Sequence, residues 1–170
     1  MSVVRMAAFI LAAIVLQTTL ARYLVRGSVG VDLVLVVVIY LSLKAGPTAG
    51  MLTGTVAGLM QDSLMTGIVG IGSLGKTVVG YLAGTVGRAF IVTQPVPRFL
   101  VFLAATLLEM TIVTGLRVIV TTGPAVVPVG AIVAQAVGNA LVGVVLFQLA
   151  ETLPRTVARR RQGGGGSSRQ

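Results

Sequence analysis

The chain has 170 residues, 55% of them hydrophobic and 10% charged, with a mean hydropathy of +1.01, whereas an ordinary soluble domain carries about 25% charged residues. That composition excludes a soluble globular fold and, at roughly 20 residues per span, leaves room for at most seven or eight membrane helices. The formal charge of +9 does not point to nucleic acid, because the basic residues lie one or two per connection up to a C-terminal cluster and form no stripe with stacking aromatics.

The first predicted helix covers residues 3–21, a charge-free run from Met6 to Ala21 extended by Val3, Val4 and a snorkelling Arg5. Its basic flank is like that of a signal peptide, but Thr19-Leu20-Ala21 is a poor cleavage site and more spans follow. The second, 29–43, is rich in β-branched residues; a lone strand would leave its backbone unsatisfied in lipid, so it reads as a helix. At 1.5 Å per residue it reaches about 22 Å, which predicts Asp32 and Lys44 at opposite interfaces. Gly46-Pro47 ends it. A third helix, 48–61, stops at Asp62; the fourth, 67–87, has Lys76 near its midpoint. The fifth, 99–120, has Glu109 near its midpoint, and the sixth, 127–153, follows a break at Gly123-Pro124 and Pro128. Residues 155–170 turn basic and then Gly/Ser-rich, the composition of a disordered tail whose arginines stay near anionic lipid head groups.

The predicted architecture is a compact all-α bundle of six transmembrane helices, with a tilted or re-entrant hairpin as the alternative for the second and third. Pro47, Pro95, Pro97, Pro124, Pro128 and Pro154 all fall in connections or terminal turns of this partition. An even number of spans places both termini on one side. Arg5, Lys44, Arg88, Arg98, Arg155, Arg159, Arg160, Arg161 and Arg169 lie there, against Arg22, Arg26 and Arg117 opposite, so the positive-inside rule makes the terminal side cytoplasmic.

With no Cys and no His, thiolate, imidazole and zinc chemistry are excluded, and Asp32, Asp62, Glu109 and Glu151 are the only acids. The expectation is no enzyme, no metal and no cofactor. Lys76 and Glu109 stand at matched distances from the connection they share, which predicts an intramembrane ion pair with Thr77 and Thr106 nearby; a proton or substrate relay is the functional alternative. Asp32, Asp62 and Arg117 are predicted to be polar positions on the outer side. A carboxylate is poorly placed at a helix C-terminus, so Asp62 needs Arg117, a loop amide or a partner protein. Gly46, Gly50, Gly54 and Gly58 recur every four residues, a ridge of small residues for close helix packing or for a partner helix. Gly80 with Gly84, and Gly130, Ala134 and Gly138, repeat the pattern; Gln135 and Asn139 give the sixth helix a polar face.

The block GLMQDSLMTGIVGIGSLGKTVVGYL, from Gly58 to Leu82, resembles the MreD family of bacterial rod-shape membrane proteins. The matching elements are Gly58-Leu59 and Asp62 at the end of a glycine-rich helix, then Gly70 and Leu74, and a closing Gly80-Tyr81-Leu82. Asp32 leading the second helix, the size and the basic C-terminus also fit, while Lys76 is not a feature expected of every member. The resemblance implies a non-enzymatic scaffold of the cell-elongation machinery in the bacterial inner membrane, embedded in membrane lipids. Its implied partners are an MreC-like protein, the RodA glycosyltransferase and a class B penicillin-binding protein, linked to MreB filaments and peptidoglycan synthesis. The rival reading is a substrate-capture subunit like those of energy-coupling-factor vitamin transporters, which the scarcity of aromatic residues weakens; a lipid-modifying enzyme ranks below both.

Overall fold

Six helices follow one another along the chain: α1 Val3–Leu24, α2 Leu33–Ala45, α3 Pro47–Leu64, α4 Ile71–Ala89, α5 Pro95–Val120 and α6 Val129–Gly163. This computed structural model describes residues 3–24, 30–64, 68–90, 94–121 and 129–163, with side chains for 4–19, 30–64, 68–90, 94–121 and 129–151, and no strand occurs among them. Pro95–Val120 and Val129–Glu151 are long and apolar enough to cross a membrane on their own, and Val4–Thr19 and Leu33–Ala45 are shorter apolar helices.

The centre of the bundle is α2, which touches all five other helices. Val34 to Ile39, Leu41 and Ser42 are buried, which accounts for a sequence that is apolar all round. Its 13 residues reach only about 20 Å, short of the roughly 30 Å hydrocarbon core. On one side Ile10, Ala13 and Ile14 of α1 pack against Val34, Val37, Val38 and Leu41. On the other, Leu35, Val36 and Ile39 meet Val79, Ala83, Phe102, Ala140 and Phe147. Large apolar side chains such as Val15, Val56, Ile119 and Leu141 face outward, as lipid-facing positions do and soluble surfaces rarely do in such number.

The most extensive helix pair is α3 with α4. A Cβ added at Gly50 would strike the Gly80 carbonyl oxygen, one at Gly54 the Lys76 carbonyl, one at Gly58 Cα of Ser73, and one at Gly84 the backbone of Gly46 and Pro47. The glycine ridge is therefore occupied by α4, backbone against backbone. On α6, by contrast, Gly130 meets nothing among the described residues and Gly138 lies against Val31.

Several boundaries differ from the sequence reading. Helix α2 begins at Leu33 rather than 29 because Asp32 caps it, its Oδ1 accepting from the Leu35 N–H at 2.9 Å. Helix α4 begins at Ile71 rather than 67 because Gly70 turns the chain in the left-handed region, with φ +107°. Lys76 consequently lies about 8 Å from the start of its helix, not at its midpoint. Helix α6 continues through the basic segment to Gly163, so Pro154 sits inside a helix. There its missing N–H leaves the carbonyl of Ala150 without its usual helical donor. The breaks at Gly123-Pro124 and Pro128, Arg26, the Arg22 side chain and residues 164–170 lie outside the described residues.

Candidate functional site

Six buried polar side chains, Asp32, Gln61, Lys76, Thr106, Glu109 and Asn139, gather near the end of the bundle where α2 and α4 begin, whereas buried Arg98 belongs to the opposite end. The Lys76 ammonium lies 2.9 Å from Asp32 Oδ2 and 3.0 Å from Glu109 Oε1. All three side chains are at least nine-tenths buried, with exposures of 3%, 10% and 8%. They come from three helices, and each is placed by a local feature. Asp32 is fixed as the N-cap of α2. Lys76 is brought within reach because Gly54 lets the α4 backbone approach at Lys76 itself. Glu109 lies against Gly75, where an added Cβ would stand 3.2 Å from its Cγ.

A second ring of uncharged groups orients the charged one. The Asp32 N–H donates to Asn139 Oδ1 at 2.8 Å, and Asn139 Nδ2 donates to Thr106 Oγ1 at 3.4 Å. Gln61 Nε2 donates to Asp32 Oδ1 at 3.4 Å, which turns its own buried Oε1 away from any hydrogen-bond partner among the described residues. From α1, Gln17 Oε1 accepts the Val34 N–H at 3.1 Å. Every one of the six helices thus contributes a polar side chain to this end of α2. Such bonds between helices are each worth about 0.6 kcal/mol on average in a bilayer, so the contribution is cumulative.

The structure moves Asp32 from the predicted outer interface into the core, because its carboxylate serves the α2 N-terminus and Lys76 at once. Thr77 and Thr106 make no hydrogen bond to the charged trio. Thr77 Oγ1 donates to the Ser73 carbonyl and lies 2.8 Å from Thr55 Oγ1, and Thr106 bonds Phe102 and Asn139. Arg117 is exposed near the end of α5. Gln61 and Gln17 were not predicted as site residues; the available signal was an amide inside an otherwise apolar helical run.

Helix α3 does not stop at Asp62 but runs on to Leu64, and Asp62, in its last turn, reaches across to the start of α4. Its Oδ2 accepts the backbone N–H groups of Gly70 at 2.9 Å and Ser73 at 3.0 Å, so it caps α4 across the loop and complements the positive end of that helix dipole. The spacing of Asp62, Gly70 and Gly72 now has a cause: Gly70 needs its positive φ, and a Cβ on Gly72 would strike Asp62 Oδ1. Asp62→Ala is expected to destabilise the protein by about 0.5–2 kcal/mol, the usual value of an N-cap, and Asp62→Asn by less; thermal melting in detergent reads both. Of the remaining motif residues, Gly80 packs on Gly50 while Leu59, Leu74, Tyr81 and Leu82 are exposed.

The opposite end carries a separate charged cluster. Glu151 bridges Lys44 at 3.1 Å and Arg98 at 2.9 Å, tying α6 to α2 and α5, and the Arg98 guanidinium lies 3.8 Å above the Phe147 ring.

A family model described as rod shape-determining protein MreD matches residues 1–157. The chain belongs to the MreD family. No curated protein and no solved structure matches it. As a member of the MreD family, it is a bacterial membrane protein that determines rod shape and is associated with the rod-shape complex. The block from Gly58 to Leu82, which carried the resemblance, is the α3–α4 hairpin together with its Asp62 closure.

Proposed function

We propose that this MreD-family chain is a non-catalytic scaffold that crosses the inner membrane six times with both termini in the cytoplasm. Within the bilayer it holds an MreC-like protein, a RodA-type glycosyltransferase and a class B penicillin-binding protein in one elongation assembly. The observation that carries this reading is that all four acidic side chains are engaged within the body. Asp32, Lys76 and Glu109 meet inside it, Asp62 is bound by the α4 amides and Glu151 joins three helices. Such an arrangement holds a shape and leaves the outward apolar faces of α1, α3 and α5 as the surfaces that meet other proteins or lipid. The orientation is supported by Lys44, Arg88 and Arg98, which lie at the end where α3 and α5 begin, the end that the positive-inside rule assigns to the cytoplasm.

Affinity purification of the tagged protein from its own membranes in mild detergent tests the reading. Co-elution of an MreC-like protein or of the glycosyltransferase with its transpeptidase is the expected result. Recovery of an energy-coupling transmembrane subunit with paired ATPases would replace the scaffold with the substrate-capture reading.

A further inference from the structure

The buried cluster contains two carboxyls and one ammonium, and both carboxyls touch the same Nζ. With both acids ionised, the described groups would leave an uncompensated negative charge in a site that is nine-tenths or more buried, and burying such a charge is far costlier than burying a pair. Two carboxyls that share one site relieve this by keeping a proton on one of them.

We propose that the cluster binds one proton, carried by the carboxyl of Glu109. The neighbours decide between the two acids. Asp32 accepts from the Leu35 N–H at 2.9 Å, from Gln61 Nε2 at 3.4 Å and from Lys76 at 2.9 Å, and it sits at a helix N-terminus, where the dipole favours an anion. Glu109 lies in the middle of α5, packed on Gly75, and receives the Lys76 ammonium alone among the described residues. No other described charge is paired with it: on α5 itself Arg98 bridges Glu151 at the opposite end, and Arg117 is exposed about 12 Å further along the helix. On α4 the only other charge is Arg88, and on α2 it is Lys44, both at the opposite end of the bundle. Helix α6 has no charged residue from Val129 to Ala150, Arg5 of α1 is at the far end, and Asp62 of α3 is bound by the Gly70 and Ser73 amides. The core is then one ion pair, Asp32 with Lys76, plus a neutral acid whose carbonyl oxygen accepts from the same ammonium.

Infrared spectroscopy of the full-length protein in phospholipid vesicles at neutral pH tests the proposal through the carbonyl stretch of a protonated carboxylic acid. The unchanged protein should show that band. Glu109→Gln, whose amide is a neutral isostere of the acid, should lose the band and melt close to the unchanged protein. Asp32→Asn should also lose it, because Lys76 is then left with Glu109 as its one counter-charge and Glu109 must ionise. Carbon-13 in the glutamate side-chain carboxyls should move the band of the unchanged protein to lower frequency, which separates a proton on Glu109 from one on Asp32. Five results would overturn the proposal: no band in the unchanged protein, a band that the glutamate label leaves in place, a band that survives Glu109→Gln, a band that survives Asp32→Asn, or a Glu109→Gln protein that fails to fold.

Discussion

Lys76→Met is expected to destabilise the protein by about 3–5 kcal/mol, the usual consequence of removing one partner from a buried charge pair, and to lower sharply the yield of folded protein. Methionine fills much the same volume, so the loss reports charge rather than packing. The ammonium it removes touches carboxyls on two other elements and has 3% of its side chain exposed. A second substitution, Asp32→Asn in the Lys76→Met background, should recover part of the loss, because it withdraws the carboxylate left without a counter-charge; the capping bond to Leu35 survives in the amide. Recovery would identify the Asp32–Lys76 contact as an interaction, whereas strict additivity of the two losses would show that the residues act separately. The chain has no Trp, so far-UV circular dichroism is the suitable readout of melting.

Gly54→Val should be comparably severe for a different reason. A Cβ at Gly54 would strike the Lys76 carbonyl oxygen, with the carbonyl carbon at 2.7 Å and the Thr77 nitrogen at 3.0 Å. These are backbone atoms in mid-helix and cannot rotate away, so α3 and α4 must separate. Overpacking in cores costs about 1–3 kcal/mol where side chains can yield, and here the separation also withdraws the Lys76 ammonium from its partners. Gly115 and Gly130 provide the control, since a Cβ at either meets nothing within 4 Å among the described residues. Gly115→Ala and Gly130→Ala should leave melting unchanged or raise it slightly, alanine being about 0.5–1 kcal/mol better than glycine inside a helix. Should either abolish rod shape in cells while melting stays the same, that position lies under a partner.

Helix order and membrane character were legible because they depend on composition and on where prolines and glycines interrupt apolar runs. Lys76 and Glu109 could be placed opposite one another because they flank one connection and distance along a helix is linear in residue number. Asp32 could not be placed this way. An aspartate before an apolar helix reads equally as an interfacial residue or as an N-cap, and its inward position depends on α4 and α5, with which it shares no connection. Gln61 and Asn139 were legible as polar residues on helices but not as members of one network, since a network exists only once six helices are assembled. The late starts of α2 and α4 came from a capping carboxylate and a left-handed glycine, features that act over single residues and escape a hydropathy window. Pro154 was misplaced because a proline after an apolar run reads as a helix stop, whereas α6 runs past it.

The enclosure of α2 bears on how the molecule is made. The ribosome releases α2, with Asp32 at its head, well before Lys76 and long before Glu109 and Asn139 exist, and its 13 residues are too few to bridge the bilayer core alone. On that order of synthesis the central helix is expected to be enclosed only when the later hairpins have been made. In this protein the first element to need shelter is among the first to be synthesised, which makes membrane insertion a step where the order of assembly matters as much as the finished contacts.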